Sequence, residues 1–390
     1  MPIRLTRLLP LAAAALLSAL PVTVAVAAAC LQPGRWSVPA SPAPRPAQAV
    51  DIAATARDAQ FVLLGETHDD PDHHRWQLHT LGMLLGVRGS LVIGLEMLPR
   101  RAQPVLDRWV AGEIADGELL RATDWNKVWG YDPALYLPIL HFARLQRIPL
   151  IALNVDRELA HEVGARGWAS IPAARREGVG DPAPAVPAYR DMLRETYARH
   201  AAAAGTAADG AAFDHFVDAQ LLWDRAFAEA LAAAAAKYPG ALIVGIAGSG
   251  HLRGGYGVPH QLRALGAKQR IAVWLPLPAD TPCEAVDAGS ADAVFAVQDM
   301  RAFDPPRLGV ALDEEERGPR VREVVAGSVA ERAGMRAGDR VVSAAGVHVA
   351  SAAELIAAVK RQPPGTWLPL TVERSGREVE LVAKFPAAQP

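Results

Sequence analysis

Cysteine is scarce in this sequence, with only Cys30 and Cys283 among 390 residues. Two cysteines cannot form the dense disulfide framework of small secreted domains, and no C-x-x-C-H motif is present for covalent attachment of a c-type haem. If Cys30 is modified, Cys283 has no partner within the chain. If Cys30 stays free, the two cysteines can bond to each other.

An excess of one charge is also missing, since 40 basic residues face 42 acidic ones and the formal net charge is -2. A near-neutral chain is not expected to bind nucleic acid, which requires a clear basic excess. Neither H-E-x-x-H nor G-x-S-x-G occurs, which argues against a zincin or a serine hydrolase. The composition, with 51% hydrophobic and 21% charged residues, is typical of a globular protein long enough for two domains.

The first thirty residues have the composition of an export signal. Arg4 and Arg7 precede an uncharged apolar run over 8–29, and small residues stand directly before Cys30. This order predicts a signal peptide removed at Cys30, whose thiol would then carry lipid and anchor the protein to a membrane of the cell envelope. We expect the outer membrane, with the protein facing the periplasm or the cell surface. Two alternatives are ordinary cleavage after Ala29 and an uncleaved anchor.

Changes in composition divide the rest of the chain. Pro, Ala and Ser are frequent after Cys30, which is typical of a linker, and the regular hydrophobic pattern is lost again after residue 280. The predicted division is a signal peptide at 1–29, a linker at 30–50, a first domain at 51–280, a second linker at 281–303 and a small second domain at 304–388.

Short apolar runs alternate with helical patterns through the first domain. The apolar runs have the length and continuity of strands that are buried on both faces. Strands separated by helices predict an α/β fold with a mostly parallel sheet flanked by helices. The predicted strands are FVLLGE (61–66), SLVIGLEM (90–97), IPLIALNV (148–155), ALIVGIAG (241–248) and RIAVWLP (270–276). The helical patterns cover 71–86, 100–120, 133–147, 157–168, 188–203 and 211–237.

Polar residues follow the predicted strands at the edge where parallel sheets bind their ligands. The first strand leads into Glu66 and His68, the second ends at Glu96, and the fourth leads into His251, so that two strand ends each carry a G-x-x-H motif. Imidazole nitrogen and carboxylate oxygen suit a divalent metal such as zinc, manganese or iron. A glutamate beside a metal-bound water could also act as a general base. Hydrogen bonding to loop backbone is the structural alternative.

Tyr256 is the second kind of candidate. It stands in the glycine-rich segment RGGYGVP, directly after His251, where small neighbours leave its ring accessible to a flat ligand. Phenolate oxygen is an established ligand of ferric haem. The alternative is a loop tyrosine that packs on the edge of the sheet. Arg253 lies in the same segment, and His74 falls on one face of the predicted helix at 71–86.

Other polar and aromatic residues favour a structural role. Trp125, Trp129 and Tyr131 could line a porphyrin face, but aromatic residues in such a loop more often pack the domain. Gln220 and Asp224 lie on an otherwise apolar helix and need polar partners, which the strand-end motifs could supply.

Five separated segments of the first domain, GETHDDPDHHRWQ, GLEMLPRRAQPVLDRW, PLIALNVDRELA, AQLLWD and GSGHLRGGYGVP, resemble the ChaN-like haem-binding lipoproteins. That family is similar to the wider superfamily of TraB/Tiki-type metallopeptidases and erythromycin-esterase-like hydrolases. The resemblance implies haem binding through a tyrosine and a role in haem or iron uptake. We expect Tyr256, His74, His251 and Arg253 to contact haem, and a homodimer with haem between its two copies is one arrangement the sequence allows.

The last segment resembles bacterial PDZ domains, most clearly at AGMRAGD (333–339). The resemblance implies a small β-rich domain in which Leu308, Gly309 and Val310 bind the C-terminus of a peptide or protein partner along a strand edge. The helix at about 352–361 would form the other wall of the groove. Packing on the first domain or dimerisation is the alternative role.

Three functions follow from these patterns. The first is a haem-binding envelope lipoprotein with a PDZ module. The second is a metal-dependent hydrolase that uses Glu66, His68, Glu96 and His251, an alternative favoured by the PDZ domain because such domains often accompany proteases. The third is a scaffold that recruits partners through the PDZ domain alone. Haem binding would support the first function, and a retained metal ion together with hydrolysis would support the second. Peptide binding without either property would support the third.

Overall fold

An eight-stranded, mostly parallel sheet forms the centre of the first domain. The computed structural model describes residues 30–204, 210–297, 306–363 and 365–387. The strands are β1 (Trp36–Val38), β2 (Arg45–Ala47), β3 (Ala59–Glu66), β4 (Leu91–Pro99), β5 (Leu150–Asn154), β6 (Leu242–Gly248), β7 (Arg270–Pro278) and β8 (Ala293–Val297). Their order is β2-β1-β8-β7-β3-β6-β4-β5, with β3 to β8 parallel and β1 antiparallel to both neighbours. The predicted fold class is confirmed.

Helices cover both faces of this sheet. They are α1 (Ala49–Thr55), α2 (Pro71–Arg88), α3 (Gln103–Ala111), α4 (Asp116–Ala122), α5 (Trp125–Val128), α6 (Leu137–Leu145), α7 (Arg157–Arg166), α8 (Pro187–Ala204), α9 (Gly210–Lys237) and α10 (Val258–Ala264). The start of α2 is fixed locally, because Asp70 accepts a hydrogen bond from the Asp72 backbone N–H at 2.9 Å and Pro71 occupies the first turn.

The alternation of side chains along β3 separates two hydrophobic cores. Val62 and Leu64 face the core that contains Trp76 of α2, whereas Phe61 and Leu63 face the core built on α7 and α9. Each large apolar side chain buried in this way contributes about 1.5–3 kcal/mol to stability. The two cores explain why the central strands are apolar at successive positions.

The two predicted linkers at 30–50 and 281–303 are folded in part into the sheet of the first domain. The first contains β1 and β2, and the second contains β8, which hydrogen-bonds to β1 and β7. Trp36 packs against Trp274 with ring centroids 5.5 Å apart, and buries this added edge of the sheet. Strands of three residues are too short to show a hydrophobic period, so composition alone suggested a linker.

Cys30 is bonded to Cys283. The sulfur that the sequence assigned to a lipid is therefore occupied, and the structure disagrees with a lipidated Cys30. The structure agrees with the alternative in which the two cysteines form a disulfide. They meet because the chain brings the first strand pair and the segment before β8 to the same edge of the sheet. The predicted signal peptide, residues 1–29, lies outside the described residues. Within the described ranges, no helix is long and apolar enough to cross a membrane.

The second domain is a small antiparallel sheet with two short helices. Its elements are β9 (Val310–Asp313), β10 (Arg320–Val324), α11 (Val329–Arg332), β11 (Arg340–Ala344), β12 (Val347–His348), α12 (Ala352–Lys360), β13 (Trp367–Arg374) and β14 (Arg377–Lys384). The strand order is β14-β13-β11-β10-β9, with β12 paired to β11. Asp339 forms a two-pronged ion pair with Arg374, and the hydrogen bonds of this pair hold the pKa of Asp339 below its ordinary value although burial raises it.

Candidate functional site

Three neighbouring strands bring the predicted polar residues to one edge of the sheet. β6 lies between β3 and β4, and all three run in the same direction. Glu66 ends β3 opposite Gly248, which ends β6, and Glu96 lies near the end of β4. Since parallel strands end at the same edge, His68 and His251, which follow β3 and β6, reach the same pocket as Glu96.

His68 is held by a buried carboxylate. Its Nδ1 donates to Glu66 Oε1 at 2.8 Å, and the Tyr136 hydroxyl donates to the same oxygen at 2.7 Å. Gln77 Nε2 donates to the other oxygen at 2.9 Å. Burial raises the pKa of Glu66, but the hydrogen bond from His68 and nearby positive charge outweigh burial and leave that pKa below its ordinary value. We call Tyr136, Glu66 and His68 the His68 unit.

The hydrogen bond between Glu66 and His68 also shifts the pKa of the histidine. Burial lowers the pKa of His68, whereas the bond to Glu66 and the charge of Glu96 raise it, and the net result is a pKa above the ordinary value. The other nitrogen of the ring, Nε2, has no hydrogen-bond partner among the described residues. His68 therefore presents one anchored nitrogen to the protein and one open nitrogen to the pocket.

His251 is held in a matching way by residues of α8 and α9. Its Nδ1 donates to Asp224 Oδ1 at 2.8 Å, and the Tyr189 hydroxyl donates to Asp224 Oδ2 at 2.7 Å. Burial lowers the pKa of His251, but the charge of Asp224 and the hydrogen bond to it raise that pKa to about 9. The imidazole is therefore protonated at neutral pH. We call Tyr189, Asp224 and His251 the His251 unit.

Glu96 stands between the backbone of β6 and His251. Its Oε2 accepts a hydrogen bond from the Gly248 backbone N–H at 2.6 Å, and its Oε1 lies 3.8 Å from His251 Nε2. This carboxylate is buried, with 6% of its surface exposed. Glu96 therefore supplies the negative charge that the protonated His251 faces inside the pocket.

The strand-end pocket has a volume of about 500 Å³. The residues that line it are His68, Glu96, Arg101, Lys127, Val128, Trp129, Tyr131, Asn154, Val155, Asp156, Arg157, Glu158, His161, Gln220, Trp223 and His251. Trp129 and Tyr131 pack beside His68, with ring centroids 4.7 and 5.2 Å from its ring. Trp223 lies near His251, with ring centroids 6.2 Å apart. The pocket thus combines aromatic walls with nitrogen donors and cations.

Of the four residues predicted to contact haem, His251 lines the pocket and the other three do not. Tyr256 packs against Tyr189 in the apolar cluster of α8 and α9, because the chain turns at Gly254 (φ +69°) and the tyrosine ring folds back over that glycine. His74 is buried and contacts the backbone oxygen of His68 at 3.0 Å. Arg253 lies in the short helical turn before Tyr256 and is half-buried.

Residues that the sequence assigned to packing belong to the pocket instead. Trp125 is buried as expected, but Trp129 and Tyr131 line the pocket. Tyr131 is 37% exposed. The W-x₃-W-x-Y spacing was the available signal, but it did not specify which rings face a ligand. Arg157 and His161, on the first two turns of α7, were not named as candidates, although Arg157 lies in the segment PLIALNVDRELA.

The predicted metal-binding set does not form a metal site in the described part of the chain. Within 30–204, 210–297, 306–363 and 365–387, no group of three or more His, Cys, Asp or Glu side chains is placed to hold a metal ion. Both oxygens of Glu66 are already engaged by His68, Tyr136 and Gln77. His68, Glu96 and His251 are brought to one pocket, while Glu66 supports His68 from behind.

A second groove lies on the small domain between β9 and α12. Its volume is about 520 Å³, and Leu308, Gly309 and Val310 form one wall. Leu355 and Ile356 of α12 line the opposite wall. Gly309 has φ +83°, and a Cβ at this position would lie 2.3 Å from the Ser328 side chain, so only glycine fits the turn that shapes this wall.

Comparison with known protein families also divides the chain into a larger first domain and a small second domain. Residues 52–262 match the family described as haem-binding uptake, Tiki superfamily, ChaN, and residues 320–374 match the PDZ domain family. A search of curated proteins gave no significant match.

Two solved structures are similar to parts of this chain. The structure described as cofacial haem binding to ChaN of Campylobacter jejuni is 18% identical, with a TM-score of 0.51, and the match covers 68% of this chain and 98% of that one. At that identity the likeness shows the fold alone. The HtrA-type protease AlgW with a decapeptide is 24% identical over 22% of this chain and 30% of its own, with a TM-score of 0.20.

Proposed function

This chain belongs to the ChaN family of haem-binding proteins in the Tiki superfamily, since the family match covers more than half of it, and we propose that it binds haem in the strand-end pocket. The observation that carries this proposal is the composition of that pocket. Aromatic rings, histidines with anchored Nδ1 atoms and basic side chains line one cavity of about 500 Å³.

The residues present suit the chemistry of haem. A porphyrin is flat and apolar, and Trp129, Tyr131 and Trp223 provide aromatic surface for it. The propionates are carboxylates, and Lys127, together with the two arginines at 101 and 157, places cationic groups in the same lining. The iron takes nitrogen or oxygen ligands, which histidine and tyrosine side chains supply. When bound, haem would contribute its iron and its ring to a site whose polarity the protein sets.

We further propose that the protein handles haem outside the cytoplasm, in haem or iron uptake or trafficking across the envelope. Two observations support this location. The first thirty residues have the pattern of an export signal. The Cys30–Cys283 bond suits an oxidising compartment. We propose that the exported chain keeps Cys30 for this bond, and that the PDZ groove binds the C-terminus of a peptide or protein partner in the same compartment.

Titration with haemin tests the proposal. The exported protein, starting at Cys30, is titrated with haemin, and its absorption spectrum and metal content are recorded. We expect a Soret band that grows to saturation as haemin is added. Trp223→Ala, which removes one aromatic wall, should weaken haemin binding. Ile356→Ala, in the PDZ groove, is the matched control and should leave the titration unchanged. An absorbance that rises linearly with added haemin, without saturation, would contradict haem binding.

Hydrolysis is the second candidate function, favoured by one observation. Two histidines, each fixed by a buried carboxylate, open into the same pocket as Glu96, an arrangement suited to proton transfer. Stoichiometric zinc or manganese in the purified protein, with peptide or ester hydrolysis lost in His68→Ala, would support this candidate. Saturable haemin binding without any such hydrolysis would leave haem binding as the function.

A further inference from the structure

The sheet of the small domain ends in two edge strands, and only one of them belongs to the peptide groove. β9, at one end of the strand order, forms a wall of that groove, and β14 lies at the other end. We propose that β14 pairs with β14 of a second copy of this chain, so that the two sheets join across a two-fold axis. This contact does not depend on haem binding.

The length of β14 makes it suited to such pairing. It has eight residues, Arg377–Lys384, and each of them lies opposite a residue of β13. Within the described ranges 306–363 and 365–387, its other side pairs with no strand. An edge strand of this length presents a row of backbone N–H and C=O groups that another strand can bind. A second β14 would satisfy this row on both copies at once.

The alternation of side chains limits the registers that a symmetric pair can adopt. Val379, Leu381 and Ala383 pack toward the core of the small domain. The alternate positions are exposed and bear Glu378, Glu380, Val382 and Lys384. A two-fold axis perpendicular to the sheet keeps both outer faces on the same side, so outward positions must lie opposite outward positions. The axis therefore passes through a residue and not between two residues.

Charge selects one of these registers. An axis at Leu381 places Glu378 opposite Lys384 of the second copy, and the symmetry forms this attractive pair twice. An axis at Val379 or at Glu380 would instead bring two glutamates opposite each other, which is unfavourable. An axis at Val382 would place Glu378 opposite a residue beyond the end of the strand. The register at Leu381 is thus the longest one without a like-charge pair.

The charges of this register are available to a second copy. No ion pair between described residues of the small domain involves Glu378 or Lys384. The two residues are six positions apart on an extended strand, which separates them by about 20 Å, so they cannot pair within one chain. Lys384 Nζ lies 4.4 Å from the ring centroid of Trp367, on the outer face of the sheet. Val382, between the two charges, is 41% exposed.

The pairing would leave both peptide grooves free. β9 and β14 are the two ends of the strand order, so the groove of each copy would lie at a far edge of the joined sheet. The dimer would therefore present two grooves, and a partner with two C-termini would bind it more tightly than it binds one copy.

Exchange of the two charges tests the register. The exported chain, starting at Cys30 and with its disulfide intact, is studied without haemin by sedimentation equilibrium over a range of concentrations. We expect a reversible monomer–dimer equilibrium. Glu378→Lys and Lys384→Glu should each weaken the dimer at least about 10-fold, because two attractive pairs become repulsive. Glu323→Lys, at an exposed position of β10, is the control and should leave the equilibrium unchanged.

Two further samples separate pairing from damage to the fold. The double variant that carries both exchanges should dimerise as the unchanged protein does. An equimolar mixture of the two single variants should also dimerise, because each supplies the charge that the other needs. Variants that had merely lost their structure would recover in neither sample. A dimer whose dissociation constant is the same in both single variants as in the unchanged protein would overturn the proposal.

Hydrogen exchange locates the contact. The backbone amides of β14 should exchange more slowly at high protein concentration than at low concentration, because pairing protects them. Those of β9 should exchange equally at both concentrations. A protein that stays monomeric at every concentration, or protection that appears outside β14 alone, would contradict pairing through this strand.

Discussion

Asp224, in the middle of α9, holds Nδ1 of His251 at 2.8 Å across 27 residues of sequence. The carboxylate is completely buried, and its second oxygen accepts a hydrogen bond from the Tyr189 hydroxyl. A buried carboxylate that pairs with an imidazole stabilises the protonated ring, so this contact makes the stability of the fold depend on pH.

The first prediction concerns that dependence. The pKa of His251 is raised from 6.5 to about 9 in the folded state, so its contribution to stability is complete below pH 6.5 and is lost as the pH rises toward 9. Between these pH values, the loss of the His251 proton should lower the free energy of unfolding by about 1.4 kcal/mol per pH unit. Urea unfolding from pH 6 to 9.5 measures it, and Asp224→Asn should flatten the curve. Equal slopes in both proteins would contradict the pairing.

The second prediction concerns the disulfide. Cys283→Ser should lower the free energy of unfolding by about 2–4 kcal/mol, because the bond restricts the unfolded chain. Urea unfolding with and without a reductant measures the loss. The unchanged protein should lose stability in reductant, whereas Cys283→Ser should be insensitive to it. Equal sensitivity of the two proteins would show that the bond does not form.

The third prediction separates the disulfide from lipid at Cys30. The protein expressed with its leader and purified from the envelope should have the mass of an unmodified chain starting at Cys30, and should react with a thiol reagent after reduction only. A mass increase from acyl groups would instead show that Cys30 carries lipid, and Cys283 would then react without reduction.

The fourth prediction concerns the propionates of haem. Arg157→Gln should weaken haemin binding about 5-fold, which corresponds to ~1 kcal/mol for a partly solvated charge pair. Binding of the haem dimethyl ester, which lacks the carboxylates, should not change. Arg166→Gln, on the same helix but outside the pocket lining, is the control and should bind both ligands as the unchanged protein does. Loss of ester binding in Arg157→Gln would point to a packing role instead.

The fifth prediction concerns the second domain. A peptide with an apolar last residue and a free carboxylate should bind the groove between β9 and α12, and amidation of that carboxylate should weaken binding at least about 10-fold. Ile356→Arg should weaken it as well, because the charge enters the apolar wall. Trp367→Ala, which removes an exposed side chain outside the groove lining, should have no effect. Fluorescence anisotropy of a labelled peptide measures all three, and binding insensitive to amidation would rule out recognition of the carboxylate.

The central sheet could be predicted because its strands are buried on both faces. β3, β4, β6 and β7 are continuous apolar runs, and their predicted ends differ from the observed ones by at most two residues. β1, β2 and β8 could not be predicted in the same way. They are short, and β1 and β2 lie at one side of the sheet, where pairing with distant residues, not local pattern, determines the strand.

The position of the site could be predicted from the sequence, but not all of the residues that form it. His68, Glu96 and His251 follow or end buried strands, so the parallel topology alone brings them together. The choice between Tyr131 and Tyr256 depends on how two loops fold over that edge, which no local pattern specifies. Asp224 lies on a helix far from the strand ends in sequence, and its polar character among apolar neighbours and its place in the AQLLWD segment did not specify its contact with His251.

The bond between Cys30 and Cys283, together with β1 and β2, also leaves the exported chain without a mobile amino-terminal tail. A flexible segment of the length of 31–49 could extend about 60 Å. Here that segment is folded into the sheet edge and fastened at its first residue. An exported chain that begins at Cys30 would therefore offer a protease no loose end in front of its first domain.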